Sequence, residues 1–498
     1  MEDHRPLARA AAAGPVLPLY VMEPDYWALP DTSERQFLFV RESLLELRAQ
    51  LAGIGQPLVV RSGDVVELLE RLQRKRGVAG LYSHQETGNG GTYARDLRVL
   101  DWCNANGIPW HEDRQDGVIR RLKSREGWAN RWDRYMGEAI THAPAKLPPI
   151  DGIEPGDIPT ASELGLAPDG CTARQPGGRE AGLSLLYSFL HERGEPYQRA
   201  MSSPVSAASA CSRLSPHLAH GTLSVREVAQ ATWARQKELK EWPAREAGTW
   251  RRALSSFSGR LHWRCHFMQK LEDEPPIEFK SMHPAYDGLR DAADNNPLYD
   301  AWATGMTGLP FLDACMRSLI VTGWINFRMR AMMMAVASYH LWLDWRRTGE
   351  HMARQFTDYE PGIHWSQVQM QSGTTGINAV RVYNPVKQGY TQDPEGHFIR
   401  RWVPELADVP TDYIHEPWTW GQFDAVCVGY PRPVLDHEQA ARAAKEKIFA
   451  VRRSAGHKDV ARAVVQKHGS RKSGIRQHMS TRKRRTPKQP DSQLSLFD

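Results

Sequence analysis

The first 130 residues alternate between short apolar runs and amphipathic segments, and this alternation constrains the fold more than any other feature of the chain. Residues 16–22 (VLPLYVM) and 57–63 (PLVVRSG) are typical of strands, and an amphipathic helix over Gln36–Ala52 lies between them. The same order repeats up to residue 113. We therefore predict a doubly wound parallel sheet in an α/β domain over residues 1–130.

The remaining chain has three different compositions. Residues 131–180 are dense in Pro and Gly, which predicts an interdomain linker over the surface. Residues 181–450 carry almost purely helical periodicity, and we predict a large all-α domain there. Residues 451–498 lack tryptophan and hold thirteen Lys/Arg against three Asp, a net charge of +10 that leaves −4 for the rest. We predict a disordered basic tail over this last range.

Composition and spacing exclude several classes of protein. The longest nearly uncharged run, Ala331–Leu343, is shorter than the roughly 20 apolar residues that span a bilayer, so we predict no membrane-spanning helix. Glu2 and Asp3 stand where a secretory signal carries positive charge, which favours a cytoplasmic protein. The six cysteines lie far apart without a C-x-x-C pair, so we predict no metal site, iron-sulfur cluster or disulfide.

Several motifs of the helical half point to a known family. They include SRLSPHL at 212–218, WATGMTGLPFLDACMR at 302–317 and TDYEPGIHW at 357–365, followed by YNPVKQG and FIRRWVPEL. Together they resemble the flavin-binding half of the photolyase/cryptochrome family. The resemblance runs from about residue 197 to residue 420, and it implies that the α/β half is the antenna-type domain of that family.

The segment CSRLS suggests a phosphate site. Polar side chains and backbone amides of Cys211, Ser212 and Ser215, at the positive end of a helix, can cradle phosphate groups. An ordinary serine N-cap before a helix that begins at Pro216 would explain the same letters. The resemblance favours the phosphate site and implies FAD as the cofactor. The cofactor-binding residues that we predict are Tyr197, Cys211, Ser212, Arg213, Leu214, Ser215, Arg264, Arg330, Asp358, Tyr359 and Glu360.

Arg330 and Asp358 match a pair in which the arginine forms a salt bridge with the aspartate beside the flavin ring system. Without the motif, a lone Arg and a lone Asp on helices are usually solvated. Held near the ring, the cation of Arg330 would favour an anionic flavin. Breaking a buried pair of this kind is costly, because the partner that remains is a stranded charge.

The resemblance also implies an electron-transfer path through tryptophan. Trp365 and Trp345 match the inner and middle tryptophans of the family, although core packing is the ordinary role of any one tryptophan in a chain that has seventeen. The place of the third, surface tryptophan falls near Ala293. We expect Tyr286 or another tryptophan to complete the path if one exists.

The lesion pocket departs from that of an ordinary pyrimidine-dimer photolyase. Trp263 matches the aromatic side chain on which an extruded dimer stacks, but Arg260 replaces a neighbouring acidic residue. Val368 stands where a second stacking tryptophan is expected, and Asn326 and Phe327 flank the place of a usual asparagine. The asparagine near flavin N5 has no clear counterpart. An arginine can still pair with a base or a phosphate, so repair is compatible with these changes.

Two functions are implied by the resemblance. One is a DNA photolyase, in which light-excited reduced FAD lends an electron to a pyrimidine dimer extruded from damaged DNA; the handling of a flipped-out base is a family property. The alternative is a cryptochrome-like blue-light photoreceptor without repair activity. We expect a monomer, and a second antenna chromophore is compatible with the α/β half, which carries no pigment-specific motif.

The beginning of the chain also departs from the family. Family members open with a central strand, whereas MEDHRPLARAAAAG corresponds to the segment immediately after that strand. We therefore expect the first strand to be missing, as in a chain whose start is placed too far downstream or is truncated. A doubly wound sheet without its middle strand would expose unpaired strand edges.

The last residues resemble a peptide that binds a DNA sliding clamp. The sequence QLSLF would place a glutamine in a polar subsite and a Leu-Phe pair in an apolar pocket, and these apolar side chains have no core to join in a basic tail. A chance match of five residues is the alternative. The clamp contacts that we predict are Gln493, Leu494, Leu496 and Phe497.

Overall fold

The computed structural model describes residues 1–290 and 295–469 of the 498-residue chain. Its N-terminal part contains four short strands, which are β1 (Leu19–Met22), β2 (Val59–Ser62), β3 (Leu81–His84) and β4 (Trp110–Asp113). The helices of this part are α1 (Arg5–Ala13), α2 (Pro24–Trp27), α3 (Glu34–Gly53), α4 (Val65–Arg76), α5 (Gly90–Asn106) and α6 (Trp128–Met136). The predicted alternation of strands and helices is confirmed.

The four strands form two separate parallel pairs. β1 pairs with β2, with Leu19 opposite Val59, and β3 pairs with β4. Arg95 of α5 forms ion pairs with Glu23, just after β1, and with Glu86, just after β3. The α/β fold is thus confirmed, but its sheet is discontinuous, and Arg95 ties the ends of the two pairs together.

The C-terminal part is helical. Its helices in the described residues are α7 (Arg179–Ser188), α8 (Tyr197–Ala200), α9 (Pro204–Ala210), α10 (Ser215–Ala219), α11 (Val225–Glu241), α12 (Ala244–Ala247), α13 (Trp250–Asp273), α14 (Pro297–Thr304), α15 (Pro310–Thr322), α16 (Phe327–Ala335), α17 (Trp345–Gln355), α18 (Pro361–Ser372), α19 (Pro385–Gln392), α20 (His397–Trp402), α21 (Phe423–Val426), α22 (His437–Arg453) and α23 (His457–His468). The largest buried apolar cluster spans α14 to α21 and contains both Trp345 and Trp365.

Local chemistry explains where the helices begin. The carboxylate of Asp64 accepts the first amide N–H groups of α4, and the last turn of that helix carries Arg74, Lys75 and Arg76 at its negative end. At the start of α11, Ser224 and Glu227 form a capping box in which each side chain binds the other's backbone N–H. These signals act within a few residues, so the sequence alone predicts them.

The connection between the two parts packs against the α/β domain. Leu147 is fully buried, and its backbone N–H donates to the carbonyl oxygen of Ile54 at 2.7 Å. The N–H of Val60 in β2 donates to the carbonyl of Pro155 at 2.8 Å. The prediction of a purely surface linker is wrong at these points, because the segment supplies an apolar side chain and backbone acceptors to the domain beside it.

The two domains are joined by buried polar side chains of α3. Arg35 donates to the carboxylate of Asp169 at 2.7 Å and to the carbonyl of Gln355, at the end of α17, at 2.9 Å. Gln36 donates to the carbonyl of Ala353 at 2.9 Å. The Arg35 side chain is fully buried, so its charge is neutralised by groups of the linker and of the helical domain.

The prediction of a disordered tail from residue 451 is wrong for 451–468. α22 continues to Arg453 and α23 follows, with one of its faces packed on the helical domain. The Nε2 atom of His457 lies 3.0 Å from the Tyr286 hydroxyl, and His468 lies 2.5 Å from the carboxylate of Glu274. The buried face of α23 consists of three side chains, those of His457, Val464 and His468. Composition misses the helix because only one of these three is apolar. Residues 470–498, with the predicted clamp motif, lie outside the described residues.

One buried ion pair attaches the N-terminus to the helical domain, and we expect its loss to be costly. The Asp3 carboxylate accepts from Arg226 of α11 at 2.6 Å and from the Ser224 hydroxyl at 2.6 Å, and both charged side chains are 2% exposed. Arg226→Met should lower the free energy of unfolding by about 3–5 kcal/mol, because it strands the Asp3 charge. Urea denaturation of the full chain measures this.

A paired change provides the control. Arg226→Met with Asp3→Leu removes both charges and should recover most of the stability lost in the single variant. A single variant as stable as the wild type would show that water reaches Asp3.

Candidate functional site

The segment between α9 and α10 forms a loop held by an arginine. The Arg193 side chain donates to the backbone carbonyls of Cys211 and Ser212, the latter at 2.7 Å. The Ser212 hydroxyl accepts from the N–H of Leu214 at 3.4 Å, and Arg213 takes a left-handed backbone conformation with φ 60°. With their carbonyls bound by Arg193, these residues leave N–H groups and positive charge as the features that the loop offers to a ligand.

This loop is electropositive and poorly compensated. Burial lowers the pKa of Arg213 to about 10, with Asp358 opposing the effect, and burial also lowers the pKa of Arg193. The guanidinium of Arg213 lies 4.0 Å from the centre of the Trp324 ring. Burial likewise raises the pKa of the Tyr197 phenol to about 12, and nearby Arg260 opposes that rise. Several half-buried cations therefore surround one loop, which is an arrangement that suits a polyanion.

Arg330 and Asp358 form the predicted pair. Two guanidinium nitrogens of Arg330 lie 3.0 and 2.8 Å from the two carboxylate oxygens of Asp358. A third nitrogen donates to the carbonyl of Ile325 at 2.7 Å, and the guanidinium sits 4.0 Å from the centre of the Phe356 ring. The Asp358 side chain is 3% exposed and that of Arg330 is 22% exposed, so one side of the cation remains accessible.

Two other predicted cofactor residues pair with each other instead. Arg264 of α13 lies 2.8 Å from the Glu360 carboxylate and 3.6 Å from that of Asp116 in the α/β domain. Burial raises the pKa of Glu360 to about 7, and Arg264 opposes the rise. Arg264 is thus paired with two carboxylates, and its predicted contact with the cofactor stays a prediction.

The two predicted electron-transfer tryptophans are in contact. Trp345 is the first residue of α17 and Trp365 lies in α18, and their ring centres are 6.0 Å apart at an interplanar angle of 74°. Both are almost fully buried. A Cβ atom at Gly349 would lie 2.6 Å from the Trp365 ring, so a glycine is needed for α17 to approach so closely. The resemblance implied that these two tryptophans are the inner and middle members of one path, and the structure brings their rings together.

The third member of the path is left open by the described residues. Ala293 lies outside the described residues. Tyr286 belongs to another buried cluster, with Tyr339 and Ile448, and its hydroxyl binds His457. Its role as the end of the electron-transfer path stays a prediction.

The predicted lesion residues share one face of α13. Arg260 and Trp263 are three residues apart, one turn of helix, and both are partly exposed. Trp263 stacks on Phe267 at 5.4 Å between ring centres. Val368 is 2% exposed and packs near Gly349 and Trp365, so it belongs to the core and lines no second stacking surface.

Phe327, one of the two residues around the place of the usual asparagine, has an exposed side chain. Phe327 is 39% exposed at the start of α16. The amide of the preceding Asn326 donates to the backbone carbonyls of Met201 and Ser202, at 3.0 and 2.8 Å. Asn326 is therefore engaged in holding the α8–α9 turn.

One contact of this site escapes sequence reasoning. Tyr359, predicted to bind the cofactor, directs its hydroxyl to Asp31 of the α/β domain at 2.5 Å, and the Trp365 indole N–H donates to the same hydroxyl at 3.2 Å. Asp31 stands 328 residues before Tyr359, in a loop between α2 and α3. No local pattern connects residues that far apart, so only the domain interface reveals the contact.

In the described ranges, no group of three or more His, Cys, Asp or Glu side chains is placed to hold a metal ion, and the six cysteines are unpaired. Among the helices of the described residues, none is long and apolar enough to cross a bilayer.

Comparison with known proteins places these features in a family. A family model of DNA photolyase matches residues 1–121, and one of the FAD binding domain of DNA photolyase matches residues 257–450. The deoxyribodipyrimidine photo-lyase of Escherichia coli is 30% identical over 464 residues, which cover 88% of this chain and 94% of that protein. The cryptochrome DASH of Natronomonas pharaonis is 27% identical, over 87% and 95%. The archaeal photolyase from Sulfolobus tokodaii, solved with two FAD molecules, is 26% identical with a TM-score of 0.72, over 90% and 97%.

The matches to an α/β photolyase domain followed by a helical FAD-binding domain define a two-domain flavoprotein. The chain belongs to the photolyase/cryptochrome family. It is a blue-light-dependent flavoprotein with FAD as its cofactor.

The described residues fit FAD. Within the part of the chain that the structure describes, the backbone N–H groups of Ser212, Arg213 and Ser215 have no protein acceptor, so they are available to a pyrophosphate. Arg193 and Arg213 add positive charge around them. At the other end, the accessible side of Arg330 offers a cation to a flavin ring.

We expect Arg330→Ala to weaken retention of FAD at least about tenfold, because the substitution removes that cation and strands the Asp358 charge. Asp358→Ala should act in the same direction. The FAD content of the purified protein and the release of flavin on dilution measure the effect.

Arg317→Ala is the matched control. Arg317 forms a similar bidentate pair with Glu405, at 3.0 and 2.8 Å, away from this site. Equal loss of flavin in both variants would mean that the Arg330 pair acts through general stability alone.

Proposed function

We propose that this chain is a deoxyribodipyrimidine photo-lyase that binds damaged DNA as a monomer and splits pyrimidine dimers under blue light. The observation that carries the proposal is the position of Arg260 and Trp263, which present a cation and a partly exposed aromatic face on one side of α13. The charge of Arg260 and its hydrogen bond to the Tyr197 phenol oppose the rise in the pKa of that phenol. Because Tyr197 is a predicted cofactor residue, this surface adjoins the predicted flavin site. A base can stack on Trp263 while Arg260 contacts a base edge or a phosphate.

The chain's own residues supply binding, charge and exclusion of water. FAD, when bound, supplies light-driven one-electron transfer. The Arg193 and Arg213 cations would hold the pyrophosphate, and Arg330, fixed by Asp358, would place a positive charge at the flavin ring. The buried indoles of Trp365 and Trp345 form a dry route for electrons that reduce the cofactor. The repair reaction itself is redox-neutral, since it splits the two carbon–carbon bonds that join the pyrimidines.

A cryptochrome-like photoreceptor without repair activity is the second candidate. Val368 favours this candidate, because it is buried in the core at the position where a second stacking tryptophan is expected. The predicted lesion surface then has Trp263 as its stacking ring. The relative from Natronomonas pharaonis is a cryptochrome DASH.

We also propose a second, antenna chromophore in the α/β domain, which the two FAD molecules of the Sulfolobus tokodaii photolyase support.

A repair assay distinguishes the two candidates. Under blue light, the reduced FAD-loaded protein should convert a dimer-containing oligonucleotide to the undamaged sequence. Trp263→Ala should weaken dimer binding by about 5- to 150-fold, the equivalent of 1–3 kcal/mol of stacking, with a much smaller effect on undamaged DNA.

Trp242→Ala is the matched control, because Trp242 is 37% exposed at the end of α11 and lies outside the site. Equal losses of Trp263→Ala on both DNAs would make Trp263 a packing residue. Flavin photoreduction without any dimer splitting would favour the photoreceptor.

We further propose that the C-terminal QLSLF sequence binds a bacterial sliding clamp and so concentrates the enzyme on DNA. The basic residues before it would add contacts to phosphates that weaken with salt. A peptide covering Arg482–Asp498 should bind the clamp saturably, and alanine at Leu496 and Phe497 should abolish binding in the peptide and in the full chain. Binding that survives these substitutions, or no binding at all, would contradict the clamp proposal.

A further inference from the structure

The hydroxyl of Tyr359 lies between an indole and a carboxylate, in a buried position. It accepts from the N–H of Trp365 at 3.2 Å and donates to Asp31 at 2.5 Å. Tyr359 is 7% exposed and Asp31 is 3% exposed. A phenol in this position touches a predicted electron-transfer residue on one side and a proton acceptor on the other.

Asp31 has few other partners. Its carboxylate accepts from the Asn89 side-chain amide at 3.0 Å, and its backbone carbonyl accepts from Gln36 at 3.3 Å. Across residues 1–290 and 295–469, no Lys, Arg or His forms an ion pair with Asp31. The Asp31 carboxylate already accepts the hydrogen bond of Tyr359, so a base lies within direct reach of the phenol proton.

The chemistry of tyrosine oxidation needs such an acceptor. Burial, together with the nearby Asp31 charge, raises the pKa of Tyr359 well above its ordinary value, so the resting side chain is a neutral phenol. Removing an electron from a phenol makes its O–H group strongly acidic. Oxidation in a dry site therefore proceeds only if a base already accepts the hydrogen bond, which is the geometry of Asp31.

We propose that Tyr359 is an electron donor to photo-oxidised Trp365 and that Asp31 receives the proton of Tyr359 in the same step. One electron passes from the phenol to the Trp365 radical cation, which returns to neutral tryptophan. The O–H bond of Tyr359 breaks and the proton bonds to an Asp31 oxygen, which leaves a neutral tyrosyl radical and a neutral carboxylic acid. The oxidant is the Trp365 radical cation, which would form when FAD, once bound and excited by light, accepts an electron from Trp365.

The inference rests on the electron-transfer role proposed for Trp365. It supplies a second place for the oxidising equivalent in a chain whose sequence has Ala293 near the position of the usual third tryptophan. Because the proton has moved to the other domain, return of the electron requires return of the proton as well. The Tyr359–Asp31 pair thus prolongs the charge separation that Trp365 begins.

Flash photolysis of the full-length, FAD-loaded, oxidised protein tests the step. In the wild type, the absorption of a tryptophan radical should give way to that of a neutral tyrosyl radical, with the matching electron paramagnetic resonance signal in frozen, illuminated samples. Tyr359→Phe should abolish the tyrosyl signal and shorten the life of the charge-separated state at least about tenfold, which corresponds to about 1.4 kcal/mol in the barrier for recombination.

Asp31→Asn separates proton acceptance from packing. The amide oxygen can still accept the hydrogen bond of Tyr359, but it is too weak a base to take the proton, so tyrosyl formation should slow at least about tenfold. The wild-type step should also slow in D2O, whereas a purely structural hydrogen bond gives no isotope effect on radical transfer. Tyr430→Phe is the matched control, because it removes another buried tyrosine hydroxyl that donates to a buried carboxylate, that of Asp313 at 2.6 Å, and it should leave the signals unchanged.

The outcomes distinguish this inference from the function on which it rests. A tryptophan radical that forms and decays identically in the wild type and in Tyr359→Phe overturns the role of Tyr359 and leaves the tryptophan path intact. The absence of any tryptophan or tyrosyl radical in the wild type overturns both. Tyrosyl formation at the wild-type rate in Asp31→Asn overturns the role of Asp31.

Discussion

The buried polar seam between the two domains is the constraint on which the rest of the structure depends. The fully buried guanidinium of Arg35, in the α/β domain, binds Asp169 and a backbone carbonyl at the end of α17. Arg226 of the helical domain binds Asp3 through a buried ion pair of the same kind. A buried charge accepts few alternative positions, because each wrong position leaves it unpaired. The seam therefore fixes the domains closely enough for Asp31 to meet a tyrosine of the helical domain.

The same rule, that buried charge must find a partner, organises the flavin site. Arg330 is satisfied by Asp358, and Arg264 is satisfied by Glu360 and Asp116. Arg193 and Arg213 instead have backbone carbonyls and an amide oxygen as partners, and burial lowers the pKa of both. In the described part of the chain, Arg193 and Arg213 thus lie beside the Ser212 loop without a carboxylate partner, whereas Arg330 and Arg264 are each fixed by a carboxylate.

Most of the fold and part of the site were predictable from sequence. The helix predicted over Gln36–Ala52 is observed at Glu34–Gly53, since amphipathic periodicity is a local property. The Arg330–Asp358 pair and the Trp345–Trp365 contact were predicted from specific motifs. The helix α23 was missed, because its few anchoring side chains are inconspicuous in a basic segment whose partners are distant in sequence.

The sequence by itself determined the order of the domains, the family and the residue types of the flavin site, because each depends on short motifs and local periodicity. Only the tertiary structure decided which charges are compensated, that Val368 is a core residue, and that the hydroxyl of Tyr359 faces Asp31. The physical reason is separation along the chain: a hydrogen bond across 328 residues leaves no periodic trace, and it exists only because the packing of two domains brings its atoms within 2.5 Å.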